Sequence, residues 1–446
     1  MREGAVHEGV VRESAVHEGA SRRQPAREPA ARTYARALPV VPVRARGLTI
    51  EGADGRRYLD CVSGSGTLAL GHNHPVVLEA IRAVLDSGAP LHVMDLTTPV
   101  EDAFVTELLR TLPPELADHA RVRFCGPTGN DPVATAVSLV RAATGRSRVI
   151  AVADAHEPLL DDGEAGEDPP AALLLEPVRS EAGVFPAADA LVRRLRARTA
   201  GRAVPLVVDE TETGVGRTGA YWAFEHSGVT PDVLVLAKAI GGSLPLAAVV
   251  HRDDLGDLGG KGGMGGKDAV GRLAAPHAGA PGAGTFRGNQ LALAAGAATL
   301  AHVREHRLAE HAAALGGRML TRLRTLAEEF ACVGDVRGRG LMAGIELVAP
   351  GVAPDGTPAV PSDGMRPGTP GTPAELAAAV RRECLHRGLI VDVTGPCANV
   401  VRLLPPLIVT EEQMSAVLDR LFDAVRAVDR HRSGGAAALR GERTPR

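Results

Sequence analysis

The sequence predicts an α/β protein, with a large domain built on a mainly parallel sheet and a smaller α+β lobe at the C-terminus. Three observations carry this prediction. The chain has 446 residues, 45% of them hydrophobic, enough to bury a large core and to divide into a bigger and a smaller unit. Five short apolar runs alternate with helical patterns: Val122 to Phe124, Arg148 to Val152, Ala171 to Leu175, Val204 to Val208 and Val233 to Leu236. Near-continuous runs of that kind suit strands covered on both faces. Three of them also end in reactive side chains, at the carboxyl ends where doubly wound sheets bind ligands.

Along the chain, residues 1–33 hold two copies of Ala-Val-His-Glu-Gly (Ala5 to Gly9, Ala15 to Gly19) amid charge. They lack the apolar surface needed to offset ordering entropy, so a disordered tail is expected there. Residues 34–90 read as the N-terminal part of the smaller domain, with β-like Leu48-Thr49-Ile50, a turn at Asp54-Gly55, and Tyr58-Leu59-Asp60. The large domain is expected over 91–300, interrupted by a Gly-rich insertion at 256–284. A second Gly/Pro-rich loop covers 349–373 within the C-terminal lobe, 301–430, and a polar, disordered tail is expected over 431–446.

A net charge of -3 gives no electrostatic case for nucleic acid or an anionic membrane, so a small molecule is the expected ligand. The five cysteines are scattered, with no C-x-x-C pair and no zinc-finger spacing, and read as reduced thiols; no metal is expected. No stretch is long and apolar enough to span a bilayer, and the N-terminus lacks a secretory pattern, so a cytoplasmic protein is expected.

The chemistry sits at the strand ends. Val204 to Val208 runs into Asp209-Glu210, Val233 to Leu236 into Ala237-Lys238, and Ala171 to Leu175 into Glu176-Pro177. A lone Lys or Asp there is usually just solvated. An Asp and a Lys ending two successive strands is more specific, because pyridoxal-phosphate chemistry needs both. The lysine amine forms a Schiff base with the cofactor, and a carboxylate keeps the pyridine nitrogen protonated so that the ring accepts electrons. A phosphate site is also required, and Gly126-Pro127-Thr128-Gly129-Asn130-Asp131-Pro132 leads from a strand into a helix whose free N–H groups favour an anion.

Together these residues resemble the class III aminotransferases, and most closely their diaminobutyrate–2-oxoglutarate subgroup. The likeness runs from about Tyr34 to about Leu421, through Gly66-Thr67-Leu68-Ala69-Leu70-Gly71-His72-Asn73-His74-Pro75, Asp209-Glu210 to Gly219, and Lys238 to Pro245. Thr285-Phe286-Arg287-Gly288-Asn289-Gln290 points to the subgroup. The resemblance implies a pyridoxal-phosphate enzyme of fold type I, with a seven-stranded sheet, working as a homodimer on an amino donor and a 2-oxo acid. Lys238 would be the Schiff-base lysine and Asp209 the pyridine partner. Thr128, Gly129 and Asn130 would hold the phosphate, helped by Thr285 from the second subunit. His156, Thr211 and Glu212 fall at cofactor-contacting positions. Arg402 would grip a substrate carboxylate, and Glu181 would pair with it when a donor amine is bound.

The chain departs from the family pattern in places. Ala153-Asp154-Ala155-His156-Glu157 lacks the aromatic that stacks on the cofactor, and the segment after it is shortened to 157–170. Glu212 stands where the family usually has glutamine, beside the cofactor's phenolic oxygen. Two other readings stay open: an ω-aminotransferase for ornithine or lysine, and a chain that keeps the fold as a binding partner with little catalysis.

Overall fold

The computed structural model describes residues 38–94, 96–128, 131–152, 169–257, 285–349 and 371–440. The expected N-terminal tail, nearly all of the Gly-rich insertion and His156 lie outside the described residues, as do Gly129 and Asn130.

The chain enters through three antiparallel strands, β1 (Pro42–Arg46), β2 (Thr49–Gly52) and β3 (Arg57–Asp60), and then helix α1 (Pro75–Asp86). Helix α2 (Pro99–Arg110) starts as its sequence dictates: Thr98 caps it by accepting from the Glu101 N–H at 3.1 Å, with Pro99 in the first turn. Next come β4 (Ala120–Phe124), α3 (Asp131–Thr144), β5 (Val149–Ala151), β6 (Ala172–Leu175), the short hairpin of β7 (Val178–Arg179) with β8 (Phe185–Pro186), and α4 (Asp189–Gly201). Three further strands, β9 (Leu206–Asp209), β10 (Val233–Leu236) and β11 (Ala248–Arg252), are followed by α5 (Gln290–Glu305) and α6 (Leu308–Glu329).

The central sheet has the order β4-β11-β10-β9-β6-β5. It has six strands among the described residues, where seven were expected. Strands β10, β9, β6 and β5 run parallel, and β11 is antiparallel to both of its neighbours. Because β11 reverses direction between them, β4 and β10 point the same way. Phe124 and Leu236 both lie opposite Ala248, at one level of the sheet. The carboxyl ends of β4, β9 and β10 therefore open onto one edge. The middle strands are buried along their length: Leu173, Leu206, Val208, Val233, Leu234, Val235 and Leu236 are 0% exposed. Each such apolar side chain stabilises the fold by about 1.5–3 kcal/mol over its exposed state.

The C-terminal part forms an antiparallel sheet, β12 (Val333–Arg339) with β13 (Met342–Leu347), then helix α7 (Pro373–His386), begun by a capping box of Thr372 and Glu375. Strand β14 (Leu389–Ile390) pairs parallel with β3 and ties the two ends of the chain together. β15 (Asp392–Thr394) and β16 (Val400–Leu403) complete the second sheet in the order β12-β13-β16-β15. The last helix, α8 (Glu411–Arg440), runs past residue 431, where the sequence led us to expect a polar tail. No described helix is long and apolar enough to cross a membrane.

Candidate active site

Lys238 follows the end of β10 and opens a short 3-10 turn, Lys238–Gly241. Its φ is 54°, left-handed for a residue with a Cβ, and such strain persists only where the surroundings enforce it. The turn is held from behind by α5. Gly242 has a φ of +55°, and a Cβ there would fall 2.3 Å from the Ala295 carbonyl oxygen. This packing fixes where the lysine stem leaves the sheet.

One strand over, Asp209 closes β9 opposite Val235 and accepts from the Thr211 N–H at 2.9 Å. Burial pushes the Asp209 carboxyl above its usual range; Glu212 adds to this, while Thr211 and Lys238 oppose it. Glu210, next in the chain, points the other way. It is buried, accepts from the Thr213 hydroxyl and the Phe224 N–H, and is raised to about 7 by burial. Its contacts are internal, so we read it as a structural residue.

Glu212 joins the two halves of the site. One carboxylate oxygen accepts from Lys238 Nζ, and the other lies 3.5 Å from Arg402 Nη1. Burial alone would raise this carboxyl, but Lys238, Ser180 and Arg402 hold it below the ordinary value. Arg402 stands on β16 with its side chain 2% exposed. Its Nη1 donates to Ser180 Oγ and Glu181 Oε1, each at 2.8 Å, and its Nη2 donates to Asp392 Oδ2 at 2.6 Å. Burial acts against the guanidinium charge, yet Glu212, Asp392 and Glu181 outweigh it and raise its pKa.

The expected phosphate loop is described only in part. Thr128 is exposed and donates to Asp131 Oδ2 at 2.5 Å. A Cβ on Gly126 would come within 2.6 Å of that same carboxylate, which would have to turn away from Thr128 to make room. For Thr285 only the backbone is described, at the start of the turn Thr285–Gly288.

This donor set fits pyridoxal phosphate: an amine and a buried carboxylate on adjacent strands, with an open strand-to-helix loop at the same edge. Among the described residues no group of His, Cys, Asp and Glu could hold a metal.

Sequence reasoning missed Ser180 and Asp392. It also passed over a stronger signal for Lys238. The chain has 50 Lys and Arg together but only three lysines, Lys238, Lys261 and Lys267. Arginine serves as the cation almost everywhere else, but a guanidinium cannot replace a nucleophilic amine.

The fold and this constellation define a class of enzyme. A class-III aminotransferase family model matches residues 30–158 and 151–425, and the chain belongs to that family of pyridoxal-phosphate enzymes. It is 39% identical, over 85% of its length and 87% of the relative's, to the diaminobutyrate–2-oxoglutarate aminotransferase of Rhizobium meliloti (strain 1021). The protein of the same name from Haemophilus influenzae is 34% identical, over 86% of this chain and 89% of that one. Among solved structures, acetylornithine aminotransferase from Elizabethkingia anophelis superimposes with a TM-score of 0.71 at 25% identity, covering 90% of this chain and 97% of that chain.

Proposed function

We propose that this aminotransferase moves the terminal amino group of a diamino acid, L-2,4-diaminobutyrate, to 2-oxoglutarate, giving aspartate semialdehyde and glutamate. The observation that carries the reading is the chain Lys238–Glu212–Arg402, which brings an amine and a carboxylate-binding guanidinium within reach of one small substrate. The names of the Rhizobium and Haemophilus relatives support the choice of substrates.

When bound, pyridoxal phosphate supplies an aldehyde that takes up the amino group and a ring that accepts electrons. Lys238 would hold it covalently, and its amine, once released, would take the proton from the substrate carbon bearing the nitrogen. Asp209 would keep the ring nitrogen protonated, a role suited to a carboxylate at the end of the neighbouring strand. Thr128, with Gly129 and Asn130, would hold the phosphate, and His156, Thr211 and Glu212 would serve the ring. In the first half-reaction the donor's terminal carbon becomes an aldehyde, with water supplying the oxygen. In the second, 2-oxoglutarate takes the nitrogen, one of its carboxylates held by Arg402 while Glu181 moves aside.

The working unit is a cytoplasmic homodimer in this reading, with Thr285 completing the partner's phosphate site. Leu91, Met94 and Phe286 are 46%, 41% and 68% exposed beside that turn, an apolar strip that a second copy would cover.

The test is glutamate formation from 2-oxoglutarate with diaminobutyrate, ornithine, N-acetylornithine or lysine as donor. The expected result is the largest kcat/KM with diaminobutyrate. A preference for ornithine or lysine would overturn the substrate, and no glutamate from any donor would favour the binding-partner reading.

A further inference from the structure

Arg402 is held by carboxylates of two kinds. Glu181 has a 70% exposed side chain that meets Thr394 Oγ1 at a long 3.5 Å besides Arg402, while its backbone is firmly anchored: its carbonyl accepts from Thr394 Oγ1 at 2.8 Å and from the Gly395 N–H at 3.1 Å. Its carboxylate can therefore leave Arg402 without disturbing the fold. Asp392 cannot. It lies directly opposite Arg402 across the β15–β16 pair, which puts both side chains on one face of the sheet. The Nη2 to Oδ2 contact is 2.6 Å and the Asp392 side chain is 30% exposed. Arg402 Nε is buried with no hydrogen-bond partner among the described residues. When Glu181 swings out, the guanidinium offers an N–H of Nη1 to an incoming carboxylate, while the Asp392 carboxylate stays on Nη2.

We propose that Asp392 is a specificity-determining residue: by placing its negative charge on Nη2 of Arg402 it weakens the grip on dicarboxylate substrates and biases the site toward the amino donor. A carboxylate approaching Arg402 meets a charge of its own sign next to the cation, which lowers the positive charge it can bind. A cationic donor is not opposed in this way. This inference rests on the proposed role of Arg402 as the carboxylate-binding residue.

Asp392→Asn separates the charge from the geometry, because the amide oxygen still accepts from Nη2. Glutarate has no amine and no keto group, so it reports binding to the cofactor-loaded enzyme without reaction. Calorimetric titration is expected to show Asp392→Asn binding glutarate about threefold more tightly, the scale of one partly exposed ion pair. KM for 2-oxoglutarate should fall in parallel with kcat little changed, and Asp392→Glu should restore the wild-type affinity. Unchanged or weaker glutarate binding in Asp392→Asn overturns the proposal. Arg402→Ala distinguishes the two levels. If it loses glutarate binding while Asp392→Asn fails to tighten it, the specificity role alone is wrong. If it binds glutarate as well as wild type, both the role of Arg402 and this proposal fall.

Discussion

Glu212 accepts a hydrogen bond from Lys238 Nζ with one oxygen and sets the other 3.5 Å from Arg402 Nη1. A single buried carboxylate thus serves as counter-ion to the amine and to the guanidinium. Glutamine, usual at this position in the family, would carry no charge between them.

In the proposed reading Glu212 stands beside the cofactor's phenolic oxygen, where two negative charges would repel each other. Replacing it should therefore strengthen cofactor binding. Titration of the apoprotein with pyridoxal phosphate, followed by absorbance, is expected to give Glu212→Gln a dissociation constant several-fold lower than wild type, about 1 kcal/mol. Equal or weaker binding would mean the carboxylate is protonated or compensated in the loaded enzyme.

Arg402→Ala should damage the two half-reactions unequally. Loss of a charged hydrogen-bond donor to a substrate carboxylate costs about 1.5–3 kcal/mol, or roughly ten- to hundredfold in kcat/KM for 2-oxoglutarate. The donor half-reaction, measured alone by single-turnover absorbance, should lose much less. Equal losses would contradict the role assigned to Arg402.

Glu210 gives a pH signature of stability. Its carboxyl rises from 4.5 to about 7 on folding because it is buried. Between those values the folded chain holds a proton that the unfolded chain has lost. Stability contributed by this group therefore falls as pH rises through the window and stays lower above it, on the order of 3 kcal/mol. Glu210→Gln can keep the bond from the Phe224 N–H and should flatten the dependence, raising Tm relative to wild type at pH 8 but not at pH 4.5. A parallel pair of Tm curves would contradict this.

Gly242→Ala tests the support behind Lys238. The added Cβ meets the Ala295 carbonyl and forces a left-handed backbone on alanine. A loss of about 2 kcal/mol or more is expected in denaturant unfolding, with Lys238 shifted and cofactor affinity lowered as well. A variant as stable as wild type would show that α5 can retreat without cost.

Much of this was legible in the sequence because it rests on local patterns. The apolar runs ending at Asp209 and before Lys238 became β9 and β10, side by side, since continuous hydrophobic runs of that length have few other places to go. Strand β11 was not anticipated: Ala248-Val249-Val250-His251-Arg252 carries no mark of direction, and only pairing with β4 and β10 makes it antiparallel. Asp392 escaped notice for a similar reason. Its partner is ten residues away, and the pairing depends on the register of β15 against β16, which a reading of strand ends does not supply. Glu212 was visible as a departure from the family, but its contact with Arg402 joins residues 190 positions apart and is a product of the fold.

The account turns on Lys238 as the residue that carries the cofactor. Borohydride reduction of the protein loaded with pyridoxal phosphate, followed by peptide mass mapping, tests this directly because the chain has only three lysines. The pyridoxyl mass is expected on the peptide containing Lys238 and absent from Lys238→Ala. Its appearance on Lys261 or Lys267 alone, or on no lysine, would contradict the account.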